Sequence, residues 1–589
     1  MAQTPTTVNS SPQAAETGAP VIMERELSIR AVLTGMALGV LLTPSNVYAG
    51  LKIGWSFNMS IIALLLGVGF WQGVAARAAR SQPWSLHESN INQTVASAAA
   101  SIISGGLVAP IPAYTLLTGN TLAAAPMMAW VFSVSFLGIW IAWYLRPSLV
   151  SDPTLTFPEG MATLETLTHV YSHGREAMQR LTVLFATAAA AALVKWVDTF
   201  YRAFPRWSPS PLLERLTFTF DPSLLLLGFG AIVGLRVGLS LLLGAVLAWG
   251  GMAPWLLGQG MVTLPAGASG PQFSALVEWL LWPGVSLMVC ATLSALAVRL
   301  WQQRDGLSHR HRGGARLPQR GPAIGLGLAV LLVVLLQSAL FGIDIWMALL
   351  TVPLALVLAA VAARVVGATG IPPIGAIGQL SQLCFGIVAP GQVPVNLMSA
   401  NTAGGAAGQC TDLMNDFRVG LAIGATPWKQ VIAQCLGIAV GSVTGVLVYK
   451  ALIPDPQTML LTAEWPAPAV ATWKAVAQTL AQGLGSLSPG IRWAILLAGA
   501  VGVALGLLEA LLQARQARWL PSAAALGLAF VLPASVSGMM ALGAVLAALL
   551  AVRWPGFSRN YALAAAAGLI AGESMTGVGA SFWQMFRGS

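Results

Sequence analysis

Apolar runs long enough to cross a membrane recur along almost the whole chain, and they constrain its fold more than any other feature. About 20 apolar residues in an α-helix span the ~30 Å hydrocarbon layer of a bilayer. Such runs lie roughly at 31–50, 55–76, 91–110, 122–145, 181–198, 222–235, 237–257, 277–300, 321–341, 344–366, 371–390, 394–410, 430–450, 491–513, 521–552 and 560–580. These runs, about sixteen in all, predict an all-α polytopic membrane protein.

Some of these stretches are short or rich in Gly, Pro and Ser, and they predict hairpins or broken helices. Three lie near 222–257, 394–410 and 521–552. We also expect interruptions at 44–54, where Pro44, Gly50 and Gly54 fall, and in the polar segments 88–94 and 396–416. Irregular backbone at membrane depth is tolerated where it lines a cavity.

The scarcity of charge excludes a soluble protein of several domains. Charged residues make up 8% of the 589 residues, against about 25% in soluble proteins. The net charge of +10 arises from basic residues that gather in loops, so it does not indicate nucleic-acid binding. The four cysteines are scattered without metal-ligand spacing, and no metal site or cofactor is predicted.

The basic loops predict the orientation in the membrane. Residues 1–30 read as a disordered cytoplasmic tail, and residues 301–320 form a basic linker after the eighth apolar run. Because cytoplasmic loops carry an excess of Lys and Arg, we expect both the N-terminus and this linker in the cytoplasm of a cell with the chain in its inner membrane. The arginines at 199–221 fall on the expected outer side and depart from the rule.

The chain also contains an internal repeat. Residues 222–248 match residues 521–547 without a gap at 11 of 27 positions, including Pro222 with Pro521 and Ser223 with Ser522. Chance within an alphabet of Leu, Ala, Gly and Val is the alternative, but it does not explain the matched Pro and Ser. We therefore expect two transmembrane repeats, at 31–300 and 321–589, as in many secondary transporters, in either parallel or inverted form.

Polar residues at membrane depth are costly, so each needs a partner or a role. The first candidates are Asn46, Tyr48 and Lys52, in PSNVYAGLKIGW, and Glu88, Gln93 and Thr94, at the start of the third run. The structural alternatives are that Lys52 extends to the interface and that the small residues nearby serve only helix packing. The density of amides around residue 90 favours a polar site.

Isolated carboxylates form the second set of candidates. Glu159 and Glu165 lie near a Pro and a Gly in TFPEGMATLETL. Asp412 and Asp416 are four residues apart and share a helix face, and Glu573 lies in AGESMTGVG. A partly desolvated carboxylate can take up a proton near neutral pH, which suits an ion-coupled carrier. For each acid a purely structural role stands as the alternative.

Nothing in the sequence indicates an enzyme. The chain contains no GxxxxGK[ST] phosphate loop and no GxSxG nucleophile motif, and the His-Glu pair at 87–88 lacks the second histidine of a zinc protease. Membrane-embedded catalysis is therefore not predicted.

Six polar motifs carry a family resemblance. They are, in order, NVYAGLKIGW, ESNINQTVASAAAS, TFPEGMATLETL, TDLMNDFRVGLAIGATPWKQ, VLPASVSG and AGESMTGV. Between about residues 30 and 580 the chain thus resembles the oligopeptide transporter (OPT) family, as a bacterial-type member. That family includes the yellow-stripe-like metal-chelate carriers. The resemblance implies a proton-coupled importer of about sixteen helices for peptides, glutathione-like compounds or metal chelates.

The resemblance also singles out residues of this chain for substrate binding or proton coupling. Matched by motif, they are Asn46, Tyr48, Lys52, Glu88, Gln93, Thr94, Glu159, Asp412, Asp416 and Glu573. Arg418 stands where the family motif is expected to have Lys, and the two side chains differ in hydrogen-bonding geometry.

These observations predict a secondary active transporter. Its expected partners are a small peptide or metal-chelate (siderophore-like) substrate, protons and the lipid bilayer, and the sequence is also compatible with a homo-oligomer. The alternatives are a passive channel, which would need a symmetric pore element, and a non-transporting membrane scaffold.

Overall fold

The fold is described from a computed structural model. It describes residues 25–587 except 55–57, 78–82, 154, 173, 202–203, 205, 263–271, 309–319, 371–373, 484, 486, 513–515 and 517–518. The predicted tail at 1–30 therefore lies almost wholly outside the described residues, and so does most of the predicted linker at 301–320.

Helices make up most of the described chain and the described residues form no strand longer than an isolated bridge, which confirms the all-α prediction. They are α1 (Ile29–Ile53), α2 (Ser60–Arg77), α3 (Leu86–Ala100), α4 (Pro110–Thr118), α5 (Ala124–Leu149), α6 (Pro158–Ser172), α7 (Gly174–Tyr201), α8 (Pro211–Arg215), α9 (Leu224–Val233), α10 (Leu235–Ala245), α11 (Ala253–Gly258), α12 (Phe273–Ser308), α13 (Arg320–Phe341), α14 (Ile345–Thr369), α15 (Ile374–Val388), α16 (Val393–Ile423), α17 (Pro427–Leu452), α18 (Pro456–Met459), α19 (Pro468–Gln482), α20 (Pro489–Leu511), α21 (Ala523–Leu528), α22 (Ala534–Arg553) and α23 (Pro555–Arg587).

Thirteen helices within the described residues are long and apolar enough to cross a membrane. Some predicted runs differ in detail. The run at 394–410 belongs to α16, which is longer than a simple span and rich in small and polar residues. The runs at 222–235 and 371–390 form the shorter helices α9 and α15. A multi-pass membrane protein is the architecture that such a set of apolar helices requires.

The predicted break at 44–54 is wrong for most of its length. The α1 helix begins where the Ser28 side chain accepts a hydrogen bond from the Ala31 amide, and it continues through Pro44 and Gly50. It ends at Gly54, whose φ of 71° places it in the left-handed region that favours glycine. Proline is tolerated inside membrane helices because neighbouring groups compensate for the lost hydrogen bond.

The other two predicted interruptions are also wrong. Residues 88–94 lie within regular α3, and the backbone becomes irregular only after Ala100, in a 3₁₀ turn (Ser101–Gly105) and at Gly106, with φ of 119°. Residues 396–416 lie in continuous α16. The small residues there serve close packing, since a Cβ on Gly405 would clash with the Ser104 carbonyl oxygen.

The helices pack mainly within two groups. The first helix group consists of α1–α6 and α13–α19, and the second helix group consists of α7, α9–α12 and α20–α23. Contacts between the groups are fewer and come chiefly from α1 and α17 against α23, from α2 and α6 against α7, and from α12 against α15 and α19. Each half of the sequence thus contributes helices to both groups.

The two sequence-related segments form equivalent hairpins. Ser223 caps α9 by accepting a hydrogen bond from Leu226, and Ser522 caps α21 by accepting one from Ala525. The chain then turns at Gly234 in the first segment and at Pro533, the matching position, in the second. The repeated Pro-Ser pair is therefore a repeated helix start.

The two hairpins pack against each other with reciprocal contacts. A Cβ on Gly244 would clash with the Leu526 carbonyl oxygen, and a Cβ on Gly543 would clash with the Leu227 carbonyl oxygen. Because Gly543 and Leu526 are the sequence equivalents of Gly244 and Leu227, the same contact occurs twice. Such reciprocity is the signature of a two-fold relation.

The related hairpins also run in opposite directions. The start of α21 lies beside the first half of α10, which follows the turn of the first hairpin. Arg236 Nε donates a hydrogen bond to the Leu520 carbonyl oxygen, and Ser240 Oγ accepts one from the Ser522 amide. The start of α22 lies near residues preceding α9, where Thr217 Oγ1 accepts one from the Ala534 amide. Opposite directions are what an inverted repeat requires. The division of the whole chain into repeats at 31–300 and 321–589 stays a prediction, which this geometry supports in inverted form.

The central helices of the first group also run antiparallel. Near the start of α3, His87 Nε2 is 3.2 Å from the carbonyl oxygen of Ile423, at the end of α16. Beyond the other end of α3, the Asn401 amide donates to the Gly105 carbonyl oxygen at 3.1 Å. The helices α1 and α3 begin close together, on one face of the protein. We call this face, which carries the start of α1, the N-terminal face.

Candidate functional site

A charged cavity of about 340 Å³ lies between the two helix groups, at the end of α1 away from the N-terminal face. Side chains of both signs line this first cavity: Lys52, Lys195, Arg206, Asp198, Glu214, Asp221, Glu464 and Glu573. Tyr48 and Pro466 line it from the first group, and Val194 and Leu225 from the second. Its volume is near the lower end of the ~300–1,000 Å³ typical of ligand pockets, which favours a small ligand.

Lys52 is held at the wall of the first cavity by aromatic rings and a carbonyl group. Its ammonium lies 4.7 Å from the ring centroid of Trp465 and 5.7 Å from that of Tyr48, and these two rings pack edge to face. The ammonium also donates a hydrogen bond to the Glu464 carbonyl oxygen. Cation–π contacts hold a charge in place without neutralising it, so Lys52 can still attract an anionic group.

Glu573 lines the first cavity and also caps a helix. Its two carboxylate oxygens accept hydrogen bonds from Ser223 Oγ at 2.8 Å and from the Leu225 amide at 2.7 Å, at the start of α9. A carboxylate at a helix N-terminus is stabilised by the exposed amides and the helix dipole. The sequence left open whether Glu573 has a structural or a functional role. In the structure it caps α9 and also borders the first cavity, where a ligand could reach it.

A second cavity of about 280 Å³ also lies between the groups, nearer the N-terminal face. Its walls are mainly apolar, with Leu42, Ile62 and Leu184 among them, and Glu159, Arg180 and Arg559 are the charged residues that line it. Arg180 and Arg559 lie near the starts of α7 and α23, which run side by side with a 2.7 Å hydrogen bond between Tyr561 and Gln179.

Glu159 is fixed in the second cavity by two amides. Asn415 Nδ2 and Asn58 Nδ2 both donate to Glu159 Oε2, at 3.1 and 3.3 Å. The start of α6 lies close to α16, since a Cβ on Gly160 would come 2.7 Å from the Asn415 carbonyl oxygen. The preceding residue, Phe157, adopts a φ of 53° and donates its amide to the Gly367 carbonyl oxygen. The carboxylate is partly buried and forms no ion pair with the residues that the structure describes. Because it also borders the cavity, it is placed where it could exchange a proton.

Asp416 lies in a buried amide network that contacts neither cavity. Its carboxylate accepts hydrogen bonds from Gln93 Nε2 at 3.0 Å and from Gln434 Nε2 at 2.9 Å, and its carbonyl oxygen accepts one from Gln430. Gln434 in turn accepts a bond from Gln409 at 2.6 Å. The side chains of this network come from α3, α16 and α17. The network therefore connects these three helices in the core of the first helix group.

We expect Asp416→Asn to destabilise the protein by about 1–3 kcal/mol, the cost of an unsatisfied buried polar group. One carboxylate oxygen becomes an NH₂ donor, which then faces the NH₂ donor of Gln93 or Gln434. The midpoint of thermal unfolding in detergent measures the loss. Adding Gln434→Glu supplies an acceptor and should recover most of it; an unchanged midpoint in Asp416→Asn would show that this network contributes little.

Glu88 forms an ion pair and lines neither cavity. The Arg30 guanidinium donates to both carboxylate oxygens, at 2.7 Å from Nε to Oε1 and through Nη2 to Oε2. Glu88 also completes a capping box with Ser85 at the start of α3. The Arg30 guanidinium lies over the rings of Trp71 and Trp84, at 5.3 and 5.4 Å from their centroids.

The remaining predicted residues occupy the core of the first group. Asn46 donates to the Ala100 carbonyl oxygen at 3.0 Å, where α3 ends. Thr94 accepts a hydrogen bond from Gln93 at 3.1 Å. Asp412 is half-buried on α16, one turn before Asp416. The structure thus brings Tyr48, Lys52 and Glu573 together at the first cavity and places Glu159 at the second, while the other six predicted residues lie outside both linings.

Several residues at these sites were not singled out from the sequence. Asn58 and Asn415 hold Glu159, and Asp221 and Glu464 lie in connections that line the first cavity. In the buried network around Asp416, Gln434 could have been found from the sequence, since it is an amide inside the apolar run 430–450. The sequence gives no reason to single out Asp221 and Glu464, because charged residues in connections between helices are common.

No metal centre is evident in the part of the chain that the structure describes, since it contains no group of three or more His, Cys, Asp or Glu side chains placed to hold an ion. His169 lies 3.9 Å from Glu165 on α6, and both side chains are exposed.

Comparison with known proteins identifies the family. Residues 26–584 match the family model described as OPT oligopeptide transporter protein. The chain is 24% identical to a protein of Saccharomyces cerevisiae named "Putative oligopeptide transporter", over 74% of this chain and 80% of that protein. It is 24% identical to a metal-nicotianamine transporter of Arabidopsis thaliana, over 94% of this chain and 93% of the relative.

A bacterial relative extends the comparison. The chain is 24% identical to a Haemophilus influenzae protein named "Putative oligopeptide transporter", over 90% of this chain and 91% of that protein. All three relatives are named as transporters and none as an enzyme. The apolar helices, the two cavities between helix groups and the match over nearly the whole chain agree, and the protein belongs to the OPT oligopeptide transporter family.

Proposed function

We propose that this transporter imports small peptides or peptide-like compounds, including metal chelates, by symport with protons. The observation that carries the proposal is the first cavity, which presents fixed charges of both signs within about 340 Å³. A peptide carries an ammonium and a carboxylate group, and an amino-acid-derived chelator carries several of each. Charges of both signs in one cavity are complementary to such ligands.

Lys52 and Glu573 are suited to opposite ends of such a ligand. The Lys52 ammonium can attract a carboxylate, and the Glu573 carboxylate, with Asp221 nearby, can attract an ammonium. Names of the relatives support both substrate classes, because they mention oligopeptides and metal-nicotianamine complexes. The proposed proton carrier is Glu159, a half-buried carboxylate in the second cavity.

The proposed location is the inner membrane of a bacterial cell, with the N-terminal face in the cytoplasm. The basic residues that follow the eighth apolar run support this orientation through the positive-inside rule. The first cavity would then face the outside, where an importer collects its substrate, and the second cavity would face the cytoplasm.

Uptake into proteoliposomes tests the proposal. The purified full chain is reconstituted, a pH gradient that is acidic outside is imposed, and accumulation of labelled di- to tetrapeptides, glutathione and iron–nicotianamine is followed. We expect at least one of these to accumulate above its external concentration and to leak out when a protonophore is added. Flux that only runs down the substrate gradient would indicate a channel, and absence of both flux and ligand-induced thermal stabilisation would indicate a scaffold.

Lys52→Met should weaken substrate binding without unfolding the protein. The ammonium is expected to make a charge-assisted hydrogen bond to a substrate carboxylate, and losing such a bond costs about 1.5–3 kcal/mol, so KM should rise about tenfold or more. Concentration-dependent uptake by proteoliposomes measures the change. Lys450→Met is the matched control, because Lys450 lies in the last turn of α17 and lines neither cavity; an equal rise in both variants would remove Lys52 from the site.

A further inference from the structure

The two cavities lie toward opposite faces of the protein, but the same helices form walls of both. The α1 helix contributes Tyr48 to the first cavity and Ser45, three residues earlier, to the second. The α23 helix contributes Glu573 to the first and Ala571 to the second. Both cavities are therefore consecutive along the same pair of helices, α1 from the first helix group and α23 from the second.

A third helix follows the same course. Leu225, at the start of α9, lines the first cavity, and Ile232, near its end, lines the second. Because α9 is fixed to α23 through the bonds from Ser223 and Leu225 to Glu573, the two helices form one wall. The opposite wall is α1 with its neighbours in the first group.

A short contact between α1 and α23 separates the cavities. Ser574 Oγ and Ser45 Oγ are 2.8 Å apart and hydrogen-bonded, and both side chains are buried. One turn further along each helix, the Tyr48 ring lies against Gly577, where a Cβ would come 2.9 Å from the ring. We call this contact, formed by Ser45, Tyr48, Ser574 and Gly577, the serine seal.

The chemistry of the serine seal suits a contact that opens. It joins the two helix groups through one hydrogen bond between hydroxyl groups and one ring on a glycine, with no ion pair. Ser574 Oγ also donates a hydrogen bond within its own helix, to the Ile570 carbonyl oxygen at 2.6 Å. When α1 and α23 separate, Ser574 retains that backbone partner, so breaking the contact leaves its hydroxyl satisfied.

We propose that the two cavities are successive compartments of one permeation path between the helix groups, and that the serine seal is its gate. The inference rests on the proposed transport function and adds the route and the closing contact. In the conformation described, the first compartment is closed from the second. Opening requires α1 and α23 to move apart at Ser45 and Ser574, and the substrate then passes from the charged compartment to the apolar one that contains Glu159.

Cross-linking tests the gate. The four native cysteines, Cys290, Cys384, Cys410 and Cys435, are first replaced by alanine. Ser45→Cys and Ser574→Cys then place two thiols where the hydroxyl oxygens are 2.8 Å apart. Oxidation is expected to join them and to reduce substrate accumulation in proteoliposomes at least tenfold, and a reductant should restore it.

A second serine pair supplies the control. Ser60 Oγ and Ser97 Oγ are 3.0 Å apart, and both belong to the first helix group, on α2 and α3. Ser60→Cys with Ser97→Cys should cross-link equally well and leave accumulation within about twofold of the reduced protein. Full accumulation by the oxidised Ser45–Ser574 pair would overturn the gate, and so would failure of that pair to cross-link.

Labelling tests the path without any transport measurement. Ser535 lines the first cavity and Thr163 lines the second. With an impermeant maleimide applied to the face opposite the N-terminal face, Ser535→Cys should react in both oxidation states, whereas Thr163→Cys should react only when the seal is reduced. Thr163→Cys labelling that does not respond to cross-linking overturns the inference even if every substrate fails to move, whereas a responsive label with no transport would count against the proposed function alone.

Discussion

Glu159→Gln should abolish accumulation driven by a pH gradient while leaving the protein folded. Asn58 and Asn415 both donate to Oε2, so a glutamine with its carbonyl oxygen in that position retains both hydrogen bonds. Only the exchangeable proton is lost. If proton binding at Glu159 and substrate binding favour the same conformation, removing the proton site uncouples them. We expect accumulation to fall to the level of protein-free liposomes, whereas exchange of internal for external substrate continues.

The same helix offers a matched control for this substitution. Glu165 lies on α6 with 76% of its side chain exposed and lines neither cavity. Glu165→Gln removes the same charge and should leave pH-driven accumulation within about twofold of the wild type. Normal accumulation by Glu159→Gln would exclude Glu159 as the proton carrier and direct the search to Asp412 and Glu573.

Arg30→Ala should produce the largest loss of stability. The Glu88 side chain is 2% exposed and Arg30 is its ion-pair partner. Removing one member of a buried ion pair leaves an uncompensated charge and costs about 3–5 kcal/mol. Arg30 also covers the rings of Trp71 and Trp84, so its removal loses packing as well. The expected result is a large fall in the midpoint of thermal unfolding and in the yield of monodisperse protein in detergent.

A second substitution tests whether the unpaired charge of Glu88 causes the predicted loss of stability. Adding Glu88→Gln to Arg30→Ala removes the stranded charge and should recover more than half of the lost stability, although the cap of α3 is weakened. A matched substitution of an exposed arginine, Arg206→Ala, should change stability by no more than about 0.5 kcal/mol. If Arg30→Ala is as mild as Arg206→Ala, the ion pair with Glu88 does not hold α1 against α3.

Much of the helical architecture could be predicted because lipid imposes simple rules. The apolar runs at 321–341 and 344–366 correspond closely to α13 and α14, since a chain in lipid must satisfy its backbone hydrogen bonds within each segment. The stretch 222–257 predicts a hairpin or a broken helix because it is short and rich in Gly, Pro and Ser, and the structure has a hairpin there that turns at Gly234. Interruptions at 44–54 and 396–416 were wrong because small residues and proline in these helices allow close packing instead.

The composition of the site could be predicted only in part. Lys52 and Glu464 are 412 residues apart in sequence, and only the packing of the whole chain brings them to one cavity. Among buried acids, the sequence could not distinguish Glu88, which has Arg30 as its partner, from Glu573, which lines a cavity. Each is a carboxylate in an apolar setting, and the difference depends on partners from distant segments.

The reciprocal glycine contacts of the related hairpins bear on how such a chain arose. Gly244 on Leu526 and Gly543 on Leu227 make one contact twice, as two identical subunits would. If the two related hairpins arose by duplication of one segment, that segment had to be able to enter the bilayer in both orientations, because the hairpins run in opposite directions.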